Sequence, residues 1–82
     1  MLDDIMRMME RTIILVGMLI NKESETDSHY CEIMEVYNFN VDLYNNVRKT
    51  GRISSQQIVD LDEMNDRQIR ILTEMCVERG LI

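Results

Sequence analysis

The stretch from Ile53 to Ile82, ISSQQIVDLDEMNDRQIRILTEMCVERGLI, decides how this chain is read. Ser54 and Ser55 are both N-cap residue types, and Gln57, three residues after Ser54, completes a capping box. Asn65 with Gln68 repeats that grammar farther along. Two helix starts so close together predict a first helix of about two turns, a break between Asp62 and Asn65, and a longer helix from Asp66 to Glu78. The competing reading is one continuous helix from Ser54 to Arg79 with an apolar stripe at Ile58, Leu61, Ile69, Leu72 and Cys76.

Two helices joined by a tight turn have the layout of a helix-turn-helix. Ile53-Ser54-Ser55, Ile58-Val59, Asn65-Asp66-Arg67-Gln68-Ile69-Arg70 and Glu78-Arg79-Gly80-Leu81-Ile82 together resemble the helix-turn-helix of bacterial winged-helix regulators of the DeoR or MarR type. The resemblance covers roughly the last third of the chain and puts Ile58, Met64, Ile69 and Leu72 in a shared core. Asp62 and Glu63 depart from it, standing where the family buries an aliphatic residue and places a turn glycine. It implies a DNA-binding transcription regulator. Asn65, Arg67, Gln68, Arg70 and Ile71 would then face base edges, while Arg52, Ser55 and Gln56 reach phosphates. Asp66 and Glu74 on the same helix would oppose phosphate. The wing, a β-hairpin beyond Leu81-Ile82 in such domains, is expected to be missing, which makes a dimer with two reading helices the more necessary.

Working back toward the start, the composition favours helices throughout. Hydrophobic residues make up 45% of the chain and aromatics 5%, there is no proline and there are three glycines, too little turn punctuation for a sheet. The expected fold is all-α: one domain over residues 1–82, a small three- to four-helix bundle ending in the helix-turn-helix-like pair at 54–79. A core helix is expected over 28–50, capped by Thr26, Asp27 or Ser28 and stopped by Gly51 after Arg48 and Lys49. Its inner side is read as Tyr30, Ile33, Met34, Tyr37, Val41, Tyr44 and Val47, with Val36, Phe39 and Leu43 on another face.

The first helix, 1–21, begins with Asp3 and Asp4 at the positive end of its dipole and carries a stripe of Leu2, Ile5, Met9, Val16 and Leu19 or Ile20. From Ile13 to Ile20 it is apolar all round. That run is too short for a bilayer, which takes about 20 apolar residues, so no membrane partner is expected. A helix without a polar face needs cover on more than one side, and a homodimer packed through Met9, Ile13, Val16, Leu19 and Ile20 supplies it. At this size a single core is only marginally stable, which also favours a partner subunit.

The net charge of −6 opposes general attraction to nucleic acid or to anionic lipid. It is unevenly placed: residues 1–47 hold three basic side chains against nine acidic ones, and residues 48–82 hold six of each. The half read as DNA-binding is therefore neutral.

Cys31 and Cys76, without a leader-like N-terminal segment, predict free thiols in a cytoplasmic protein. His29 with Cys31 is too little for a zinc site, and no metal or other cofactor is expected. His29 reads as an exposed helix-start residue. No phosphate-cradling loop, zinc-protease helix or nucleophile-and-base spacing is present, and Asp60-Asp62-Glu63 reads as a solvated face, so neither an enzyme nor a small-molecule substrate is expected. Two functions follow: the dimeric DNA-binding regulator, or an acidic helical module that binds another protein as inhibitor or adaptor.

Overall fold

In the computed structural model, which describes residues 2–22 and 29–80, three helices form: α1 (Leu2–Lys22), α2 (Tyr30–Thr50) and α3 (Ser55–Glu78). There is no strand among the described residues. The all-α bundle expected from composition is what forms. Its caps follow local chemistry. Gly51 ends α2 in the left-handed conformation at φ 70°, and its N–H donates to the Val47 carbonyl at 2.7 Å. Ser54 starts α3 with a complete capping box: its hydroxyl accepts from the Gln57 N–H at 3.0 Å, and the Gln57 side chain accepts from the Ser54 N–H at 2.9 Å. Thr26, Asp27 and Ser28, the residues expected to cap α2, lie outside the described ones. His29 occupies the N-cap position without a side-chain cap bond.

The break expected between Asp62 and Asn65 does not form, because α3 runs unbroken from Ser55 to Glu78. The physical reason is the buried seam of this helix. Leu61, Met64, Gln68, Ile71 and Met75 recur at alternating spacings of three and four residues straight through the supposed turn. Leu61, Ile71 and Met75 are buried and Met64 half-buried, so a bend at 62–65 would pull one half of the seam off the core.

The other helices use the same spacing. On α2 the buried residues are Ile33, Val36, Asn40, Leu43 and Val47: Ile33 and Val47 belong to the side expected inward, whereas Val36 and Leu43 come from the other face. Tyr30, Met34, Tyr37, Val41 and Tyr44 are half-buried at its flanks. On α1 the seam is Leu2, Ile5, Met9, Thr12, Val16 and Leu19, with Met9, Thr12 and Val16 buried.

These seams build two hydrophobic clusters. Val16, Ile33, Val36, Ile71 and Met75 form one, with Ile20, Tyr37 and Met64 against it. Met9, Leu43, Val47 and Leu61 form the other, with Leu2, Ile5, Phe39 and Ile53 among its neighbours. Early α1 thus meets late α2 and early α3, so α2 runs antiparallel to both neighbours, and α1 and α3 are parallel. Between the clusters sit two buried polar residues, Thr12 and Asn40. Asn40 is 0% exposed. Its Nδ2 donates to the Val36 carbonyl at 2.9 Å, while its Oδ1 has no hydrogen-bond partner.

Candidate functional site: an open face beside a clasped one

The side chains expected to read DNA are scattered by the unbroken helix. Ile71, expected to meet a thymine methyl, is 1% exposed in the core. Gln68 is half-buried beside Val16, Val36 and Ile71. The Asn65 amide reaches the Met8 sulfur at 3.9 Å on α1. Arg67 and Arg70 belong to a charge clasp across α2 and α3: Arg67 lies 2.7 Å from Glu35, and Arg70 lies 3.3 Å from Glu32 and 3.4 Å from Glu74. Only Arg52, Ser55 and Gln56 are exposed together, at the start of α3, where Gln56 donates to Asp60 at 2.9 Å. Of the apolar sites that the helix-turn-helix pattern needs inside, Ile58 and Ile69 are exposed.

His29 extends the clasp to the far end of α3. It is buried, contrary to the expectation of an exposed helix-start residue, with Nε2 3.1 Å from Glu78 and Nδ1 3.9 Å from Glu74. Burial of an imidazole is tolerable when polar partners meet its nitrogens, and the α3 carboxylates do so.

The first helix also departs from expectation. Met9 and Val16, two of the five residues assigned to a dimer seam, are 0% and 2% exposed within the chain's own core. Ile13, Leu19 and Ile20 are half-buried. The stripe points inward because α2 and α3 of the same chain cover it, and the neighbouring residues are left outside instead. Leu15 is 58% exposed, Met18 54% and Ile69 on the adjacent α3 63%. With Met8, also exposed, they flank an open groove lined by Leu15, Met18, Leu19 and Leu72.

A second depression, on the outer side of α1 and α2, is lined by Ile13, Ile14, Tyr37, Val41 and Tyr44. Its polar edge is closed by the Tyr44 hydroxyl, which donates to Glu10 at 2.6 Å. That bond, with the carboxylate's negative charge beside the ring, raises the Tyr44 phenol above its ordinary range.

The face between α1 and α3 thus leaves Leu15, Met18 and Ile69 exposed, while the α1–α2 depression leaves Ile14 exposed beside its hydrogen-bonded edge. Sequence reading missed it because it looked for apolar side chains at core spacing. The signal that finds it is the three-and-four seam with polar residues admitted: once Thr12 and Gln68 count as seam positions, Leu15, Met18 and Ile69 fall outside. Cys31 is exposed and Cys76 half-buried, both as free thiols. Among the described residues no helix is long and apolar enough to cross a membrane, and no group of three His, Cys, Asp or Glu is placed to hold a metal ion. Comparison with family models, curated proteins and solved structures found no match.

Proposed function

We propose that this chain is a non-enzymatic helical module that docks a protein partner through the open face of α1 and α3. The observation that carries this reading is the groove in which exposed Leu15 and Met18 meet Leu72, with exposed Ile69 one turn before Leu72 on α3. Contiguous apolar patches on small soluble domains mark interaction sites, whereas single exposed aliphatic residues do not. A shallow trough between two parallel helices suits a partner helix that sets its own apolar stripe along it. The free thiols fit a reducing, cytoplasmic setting. DNA regulation through α3 is the weaker reading, since Arg67 and Arg70 already face carboxylates at 2.7 and 3.3 Å and the chain carries −6 overall.

The test is a bait comparison carried through to reconstitution. The chain and its Leu15→Glu/Ile69→Glu variant, matched for helix content by circular dichroism, are used to capture proteins from the source cell. A protein retained only by the unchanged chain is then purified and titrated by calorimetry. Loss of binding in the variant, with the fold intact, supports the docking face. Equal binding by the variant overturns it, as does salt-dependent binding of duplex DNA that disappears on Arg70→Ala.

A further inference from the structure

We infer that the partner on this face is a second copy of the chain, packed in parallel about a two-fold axis that runs along the bundle. The inference rests on reading the α1–α3 face as a docking surface and adds the identity of its occupant. What points to a second copy is the placement of charge at the edges of the face. Arg7 and Arg11 on α1 are exposed, as are Asp62 and Asp66 on α3, and among the described residues none of the four makes an ion pair. The arginines within α3, Arg67 and Arg70, are engaged by α2. Asp3, Asp4 and Glu63 also make no ion pair among the described residues, but only Arg7, Arg11, Asp62 and Asp66 set opposite charges at matching heights on α1 and α3.

Their heights along the bundle match. Met8 touches Asn65, and Leu15 shares its groove with Leu72, so a residue of α1 lies level with the α3 residue 57 positions later in both cases. Arg7 is then level with Met64, between Asp62 and Asp66. Arg11 is level with Gln68, two residues above Asp66. At about 1.5 Å of rise per residue, each arginine is within roughly 3 Å in height of an aspartate.

Within one chain the two rows stand side by side and face the same way. When a second copy is turned by half a revolution about an axis parallel to the helices, heights are preserved and each α1 meets the other copy's α3. Arg7 and Arg11 then face the other copy's Asp62 and Asp66 twice over. One level up, Leu15 and Met18 face the other copy's Ile69 and Leu72. By the same register Asp4 is level with Leu61, beside Asp62, and opposes the pairing at the lower end of the seam, where Arg7 and Arg11 outnumber it two to one. An antiparallel arrangement reverses the heights of one copy and carries the arginines away from the aspartates, toward Glu74 and Glu78, which His29 and Arg70 already occupy.

A self-complementary patch of this kind, with the same residues used on both sides, is what two-fold pairing requires.

Charge exchange tests the arrangement. The chain, the Arg7→Glu/Arg11→Glu variant, the Asp62→Arg/Asp66→Arg variant and a 1:1 mixture of the two variants are compared by sedimentation equilibrium in physiological salt, with circular dichroism confirming the fold of each. The unchanged chain is expected to be a dimer. Each variant alone brings like charges together on both seams and is expected to raise the dimer dissociation constant about tenfold or more. The mixture restores opposite charges on both seams at once and is expected to return the constant to that of the unchanged chain.

A monomeric unchanged chain overturns the inference, and so does a dimer that the variants leave intact or that the mixture fails to restore. None of these outcomes touches the docking reading, which stands or falls on the Leu15→Glu/Ile69→Glu bait.

Discussion

The two sides of α3 carry similar side chains to opposite ends. Toward α2, both arginines of the helix find an answer inside the chain, Arg67 at Glu35 and Arg70 at Glu32, and His29 meets Glu78 and Glu74. Toward α1, the helix presents Ile69 and half-buried Leu72, and the nearest charges, Asp62 and Asp66, find no counterpart in the same chain. A helix that had to be stable only as part of a three-helix bundle would gain from closing both sides. The α1–α2 and α2–α3 contacts hold the bundle together, and the proposed docking face is the side of α3 that they leave open.

The sharpest way to break this comparison uses two isoleucines two positions apart. Ile71 lies in the upper cluster at 1% exposure and Ile69 on the open face at 63%. Ile71→Ala removes buried methyl and methylene groups and leaves a cavity, with an expected loss of about 2–5 kcal/mol. Ile69→Ala, measured at a chain concentration too low for association, is expected to stay within about 0.5 kcal/mol of the unchanged chain. Urea unfolding followed by circular dichroism measures both. Equal losses would show that the open face is part of the core.

Asn40 is the next largest lever, and it acts in the opposite direction. Its amide is wholly buried with one acceptor unanswered, and such a group costs about 1–3 kcal/mol in desolvation. Asn40→Leu keeps a similar volume and joins the two clusters into one, so the urea midpoint is expected to rise by an equivalent amount. A fall in the midpoint would show that the amide's bond to Val36 outweighs its unanswered oxygen. If a buried polar residue is instead retained to fix how helices pair, the same variant should also populate assemblies of other sizes on sedimentation.

Asn40 also explains how much of this molecule was legible in its sequence. Helix ends were readable where a short range of residues decides them: Gly51, Ser54 and Gln57 each act within one turn, and all three serve as expected. The seams were harder, because each contains one polar residue near its middle, Thr12 on α1, Asn40 on α2 and Gln68 on α3. An eye that follows only apolar side chains loses the three-and-four spacing at those points. On α2 it drifts to Tyr37, Val41 and Tyr44, and on α3 it settles on Ile58, Leu61, Ile69, Leu72 and Cys76, most of which the core does not bury. The helix-turn-helix resemblance grew from the second cap-like pair, Asn65 with Gln68. Local capping grammar at Asn65 yields to tertiary packing, since continuing the helix buries Ile71 and Met75 while a bend exposes them.

The open face was illegible for a related reason. Ile13 to Ile20 looks apolar on every side, and no periodicity within such a run says which residues a neighbour covers. Packing against α2 and α3 decides it, by burying Val16 and leaving Leu15 and Met18 outside.

A smaller effect is expected from the clasp itself. Arg67→Ala removes a close pair with Glu35, but both partners are partly exposed, so the expected cost is about 0.2–1 kcal/mol and should shrink as salt is added. A larger, salt-independent loss would mean that the stem of Arg67 packs against Phe39 and Met64, beside which it lies, and that its charge matters little.

The smallest expected effect is a pH dependence at the edge of the α1–α2 side. Tyr44 donates to Glu10, and its phenol is raised above the ordinary value of 10.0 chiefly by that bond, with burial and the carboxylate's charge adding to it. An acid whose folded-state value is raised holds its proton more firmly when folded than when unfolded. The resulting stabilisation is therefore complete below the unfolded value and is lost as pH climbs through the folded one. Through this residue stability should not vary with pH near neutrality and should fall only in strongly alkaline solution. Tyr44→Phe should lose the bond's small contribution at neutrality and, with it, that part of the alkaline fall. Following the Tyr44 ring carbon by NMR, Glu10→Gln should bring its titration back toward 10.0, because the negatively charged acceptor is gone. An unmoved titration would show that Glu10 does not hold the phenol, and that the depression between α1 and α2 is open at that edge as well.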